Sequence, residues 1–78
     1  MAIKAYVLIE AEVGKAGEVA KAVQKVGGVK SADTVAGPYD VVAAIEVADI
    51  DAAGTVVKQI HSIAGIRKTI TCIGVKYS

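Results

Sequence analysis

Seventy-eight residues are enough for one small domain, residues 1–78, and leave no material for a second core. Hydrophobic residues make up 54% of the chain and mean hydropathy is +0.52, yet the uninterrupted apolar run Val41–Ile45 is far too short to cross a bilayer. Nine basic residues against eight acidic ones give a net charge of +1, with no Lys/Arg cluster interleaved with aromatics, so charge points to no polyanionic partner.

The N-terminus shows no charged start followed by a long apolar stretch and a cleavage site, so the expected compartment is the cytoplasm. The one cysteine, Cys72, cannot form an internal disulfide. It lies in an apolar alternating segment and is expected to pack as a small hydrophobe. The aromatics are Tyr6, Tyr39 and Tyr77 alone, so Val, Ile and Ala must fill the core.

Residues 2–12 alternate as a strand, with Ile3, Ala5, Val7, Ile9 and Ala11 on one face and Lys4, Tyr6, Leu8 and Glu10 on the other. After Gly14, Val19, Ala22, Val23 and Val26 recur at helical spacing and predict a short amphipathic helix. Gly27-Gly28 ends it, and residues 29–36 follow as a polar strand carrying Lys30, Ser31, Asp33 and Thr34.

Gly37-Pro38-Tyr39-Asp40 is a turn, because proline presets the backbone just after a turn begins and Gly and Asp suit its ends. The consecutive apolar residues Val41–Ile45 then mark a strand covered on both faces. Asp49 or Asp51 can cap a second helix whose stripe runs Ile50, Ala53, Val57, Ile60 and Ala64, widened by Val56 and Ile63. Gly65 stops it. The last strand, residues 66–77, places Thr69, Thr71, Ile73 and Val75 on one face and Lys68, Ile70, Cys72 and Gly74 on the other.

The two halves repeat. Val26-Gly27-Gly28-Val29-Lys30 matches Ile63-Ala64-Gly65-Ile66-Arg67, and at the same offset Val19, Val23 and Thr34 fall on Val56, Ile60 and Thr71. Two strand-helix-strand units in tandem predict an α+β, ferredoxin-like βαββαβ sandwich, its antiparallel sheet ordered 4-1-3-2 with both helices on one face. That order puts the most apolar strands in the centre and the polar ones at the edges. The uncovered face still carries large apolar groups from the first and third strands, which predicts pairing of sheets between copies.

Little of the remaining chemistry is catalytic. His61 is the one histidine, with no second ligand near it in sequence, so neither a metal site nor another cofactor is expected. No serine sits in a nucleophile motif and no glycine cluster forms a phosphate loop. Glu46 reads as a charge at a strand end. Asp40 has two readings: a turn cap that accepts backbone N–H groups, or, with Gly37 and Tyr39, the lip of a small-molecule site. Thr69 and Thr71, two apart on one strand, offer two hydroxyls to one face.

The run from Val29 through Gly37-Pro38-Tyr39-Asp40-Val41-Val42, then Gly65-Ile66 and the Thr69-x-Thr71 strand, resembles the effector-binding domain of the leucine-responsive and asparagine regulator family, Lrp/AsnC, also called the RAM domain. The resemblance covers essentially the whole chain. It implies sheet-paired homodimers, rings of dimers such as octamers or decamers, and free amino acids bound between dimers. By position it implies a ligand site at Gly37, Tyr39, Asp40, Thr69 and Thr71.

Family regulators carry an N-terminal helix-turn-helix, whereas here the first strand begins at the second or third residue. The resemblance is therefore to stand-alone members, with no direct DNA binding expected. Pro38 stands where an acidic residue is frequent and removes one N–H donor from the turn. The leading expectation is a non-enzymatic oligomer that binds an amino acid or related small metabolite and acts through full-length regulators. The alternatives are a small dimeric α+β barrel enzyme of monooxygenase or isomerase type, or a purely structural assembly module.

Overall fold

A computed structural model describes residues 2–75. The chain runs β1 (Ile3–Ala11), α1 (Ala16–Gln24), β2 (Val29–Thr34), β3 (Val41–Val47), α2 (Ile50–His61) and β4 (Ile66–Ile73). The four strands form one sheet ordered β2-β3-β1-β4, all neighbours antiparallel. This is the expected 4-1-3-2 order, counted from the other edge. The fold is the ferredoxin-like α+β arrangement. Among the described residues no helix is long and apolar enough to cross a membrane.

Period-two alternation in β1 sorts its side chains cleanly. Ala5, Val7 and Ile9 are fully buried against the helices, while their neighbours Lys4, Tyr6, Leu8 and Glu10 point to the other face. In β3 the buried set is Val41, Ala43 and Ile45, opposite Ile9, Val7 and Ala5. Val19 and Val23 of α1 and Val56 and Ile60 of α2 close the core from above. Methyl-bearing side chains of this size let helix and sheet approach closely, which suits a core without large aromatics.

The stripe of α2 differs in phase from the expected one. Ala53, Val56 and Ile60 are buried, whereas Ile50 is 57% exposed and Val57 only half-buried. The helix is rotated so that Val56 reaches the core centre, and Ile50 and Val57 form its flank toward β4. Asp49 is the N-cap, its Oδ1 accepting from Ala52 N at 2.8 Å. α1 has no such cap; Lys15 occupies that position without a side-chain bond to the helix start. β4 ends at Ile73, earlier than expected, with Gly74 and Val75 beyond it; the expected continuation to Tyr77 lies outside the described residues.

The repeat becomes a reciprocal contact in three dimensions. Gly28 and Gly65 take φ of +94° and +96°, which only glycine adopts without strain. A Cβ on Gly28 would meet Val56 Cγ2 at 2.9 Å, and one on Gly65 would meet Val19 Cγ2 at 3.2 Å. Each half's glycine thus seats the other half's valine. The two connections after the helices have the same backbone closure, with Gly28 O accepting from Glu46 N at 2.9 Å and Gly65 O from Glu12 N at 2.8 Å.

Candidate functional site

The Gly37–Asp40 turn joins β2 to β3 and is tied to the C-terminal end of β1. Asp40 donates its N–H to Ile9 O at 2.9 Å, and its Oδ2 accepts from Ala11 N at 2.8 Å. Asp40 O accepts from Val35 N at 2.9 Å, closing the loop. The carboxylate is therefore engaged as a turn cap, one of the two readings its sequence position allowed. That bond holds the turn against β1. Tyr39 and Asp40 are half-buried, while Gly37 and Pro38 are exposed.

Thr69 and Thr71 lie opposite Ile9 and Val7 in the β1–β4 register, so both project on the helix-covered side. Thr71 lines an apolar cleft of about 390 Å³ with Ile50, Ala53, Gly54, Val57 and Ile73, at the edge of α2. Thr69 Oγ1 is 3.5 Å from His61 Nδ1. The exposed His61 at the end of α2 is a helix-surface residue with a strand hydroxyl beside it.

Within one chain the five residues do not converge. Val41, next to the turn, pairs with Ile9, and Ile9 pairs on its other side with Thr69. The turn and the threonines are thus two strand spacings apart, about 10 Å.

The opposite face of the sheet is open. Tyr6 and Leu8 of β1 lie between Ala44 and Val42 of β3 and Cys72 and Ile70 of β4, an apolar band across three strands. Tyr6 is 44% exposed. Cys72, expected as a packing residue, is exposed in the single chain, because its alternation places it on this uncovered face.

Sequence reasoning missed one feature of this face. The β2–β3 pairing slips between Val29 and Ser31, which partner Ile45 and Ala44, so Lys30 is an extra residue in a β-bulge. It lines a cleft of about 180 Å³ with Lys4, Tyr6, Ala44, Ile45 and Glu46. A bulge leaves no signature in composition; only the register reveals it.

Residues 4–76 match the Lrp/AsnC ligand binding domain, and the chain belongs to that family. This is a regulatory ligand-binding family and not an enzyme family, and its fold points to small-molecule binding.

The chain is similar to TTHA0845 from Thermus thermophilus, at 30% identity over 97% of this chain and 96% of that one, with a TM-score of 0.91. It is also similar to the hypothetical protein PHS023 from Pyrococcus horikoshii, at 27% identity over 99% and 93%, TM-score 0.83. The transcriptional regulator NMB0573 from Neisseria meningitidis, solved as its L-Met complex, shares the fold at 21% identity and TM-score 0.82; the chain spans 50% of its length. Among curated proteins no relative matches.

Proposed function

We propose that this protein is a non-enzymatic, cytoplasmic oligomer that binds a free amino acid or related small metabolite between subunits, acting as a single ligand-binding domain over residues 1–78. In this reading Gly37, Tyr39 and Asp40 form one wall of the site and Thr69 and Thr71 of a neighbouring copy supply hydroxyls to the other. The observation that carries it is the turn itself. Two bonds tie Asp40 to Ile9 and Ala11 of β1 and a third closes the loop between Val35 and Asp40, and Tyr39, the neighbour of Asp40 in the turn, is half-buried. Membership of the family and the L-Met complex of NMB0573 support an amino acid as the ligand class.

Sheet-to-sheet dimers, associating further into octameric or decameric rings, would bury the apolar band around Tyr6 and Leu8 and bring turns and β4 strands of different copies together. Regulation is then indirect, through association with full-length family regulators and without DNA contact by this domain.

Calorimetric titration with each of the twenty amino acids tests the ligand. At least one is expected to bind, and Tyr39→Ala to weaken it about tenfold or more while the melting temperature holds; binding by none would end the sensing proposal. Asp40→Asn serves as the companion variant, because Asp40 also anchors β1. Equal loss of binding and stability there would reduce Asp40 to a turn cap.

A further inference from the structure

α2 is apolar beyond the stripe that faces the core. Ala53, Val56 and Ile60 are buried, and on the neighbouring flank Ile50, Gly54 and Val57 follow one another at helical spacing beside β4. Thr71 and Ile73 of β4 complete the cleft of about 390 Å³ there. They pair with Val7 and Ala5, which are fully buried beneath the helices. The cleft therefore lies on the helix side of the sheet, and pairing of sheets through the open face leaves it uncovered.

Gly54 is the residue of this cleft that folding does not explain. It is the fifth of the 12 residues of α2, an interior position where glycine weakens a helix relative to alanine. Its φ lies outside the positive range that calls for glycine, and a Cβ built on it would meet nothing within 4 Å among the described residues. Gly28 and Gly65, by contrast, have both a positive φ and a valine against them. Gly17, which falls on Gly54 in the repeat, is the second residue of α1, ahead of the helix interior. What the missing side chain leaves at Gly54 is room in the cleft between Ile50 and Val57.

We propose that Gly54 is a specificity-determining residue: the cleft receives the side chain of the bound amino acid, and that side chain is apolar. This rests on the amino-acid site proposed above, in which Thr71 belongs to the wall supplied by a neighbouring copy. The same Thr71 borders the cleft, so wall and cleft are continuous. Its hydroxyl is the one polar side-chain group of the lining; Ile50, Ala53, Gly54, Val57 and Ile73 supply the rest. A charged or amide side chain placed there loses its hydration for at most one hydrogen bond, whereas an aliphatic one removes apolar surface from water on both partners. The Thr71 hydroxyl can meet the ligand's polar end while the floor over Ala53 and Gly54 takes its methyl groups.

Calorimetric titration of the full chain with L-leucine, L-methionine, L-asparagine and L-glutamine tests this, because each amide is close in length to one of the apolar probes. Leucine or methionine is expected to bind about tenfold more tightly than its amide counterpart. Gly54→Ala should raise the melting temperature, because it restores a good helix former, and at the same time weaken leucine about fivefold, because its methyl stands in the cleft. Gly54→Leu should weaken it further. A purely structural role would not move stability and affinity in opposite directions. The proposal is overturned if an amide binds as tightly as the apolar probe, or if Gly54→Ala raises the melting temperature and leaves affinity unchanged; with Tyr39→Ala still weakening binding, the amino-acid site itself then stands. Binding by none of the twenty amino acids ends both readings. Sedimentation accompanies each variant. Loss of assembly in Gly54→Leu with leucine affinity unchanged overturns the proposal and assigns the cleft to contact between copies. Should a variant lose assembly and binding together, amide NMR shifts of the wild type on leucine addition decide: shifts at Gly54, Val57 and Thr71 uphold the proposal, and shifts confined to residues 37–40 overturn it.

Discussion

On one side of β1, Ala5, Val7 and Ile9 are fully buried beneath two helices; on the other side of the same strand Tyr6 is 44% exposed and Leu8 half-buried. Both sets are apolar and both follow the same two-residue alternation. What separates them is the source of the covering layer. The helix-covered side is completed by the chain itself through Val19, Val23, Val56 and Ile60. The open side has no covering layer from the described residues. Substitutions on the first side should therefore report on folding, and substitutions on the second on association.

Ile9→Ala should break the covered side most severely, with a loss of about 2–5 kcal/mol, measured by urea unfolding, because it leaves a cavity beneath both helices. Gly28→Ala comes next. Its Cβ would press on Val56 Cγ2 at 2.9 Å from a backbone with φ of +94°, and the conformational strain alone costs about 1–2 kcal/mol. A paired Gly28→Ala, Val56→Ala variant should relieve the contact but not the strain, so its melting temperature should stay below wild type. Asp49→Ala removes the cap that starts α2 and should cost about 1 kcal/mol, seen as a lower melting temperature with an unchanged unfolding slope. Leu8→Lys belongs to the other side. Stability of the isolated chain should change by less than about 0.5 kcal/mol, while sedimentation shifts to the monomer; an unchanged sedimentation coefficient would show that the open face is not an association surface.

The sequence made one side of this comparison far easier to read than the other. Alternation in β1 set Val7 and Ile9 on the core face, because burial imposes a period that the sequence preserves, whereas the unbroken run in β3, read as covered on both faces, did not separate buried Ala43 and Ile45 from half-buried Val42 and Ala44. The strand order followed from the repeat of Val19, Val23 and Gly28 on Val56, Ile60 and Gly65. The phase of α2 was less legible: Ile50, Ala53, Val56, Val57 and Ile60 span more than one stripe, and only packing decides that Val56 turns inward and Ile50 outward. For the site, the turn residues carried their own signal, since Gly, Pro and Asp have distinct backbone roles. Their distance from Thr69 and Thr71 did not, because it depends on which strand lies between. Lys30 and Glu46 looked like ordinary surface charges until register set them beside Tyr6.

The exchange of glycine seats and valines has a consequence for how the chain could be divided. Neither half pairs its own two strands: β1 lies between β3 and β4, and β2 pairs with β3. Residues 1–37 alone would thus have a helix and two strands but no ladder to hold them, and the same holds for residues 41–75. Each fragment lacks hydrogen-bonding edges and a wall of the core, and finds both in the other. The short connector at Gly37–Asp40 serves as a tether that turns a meeting of two incomplete pieces into a first-order event within one molecule.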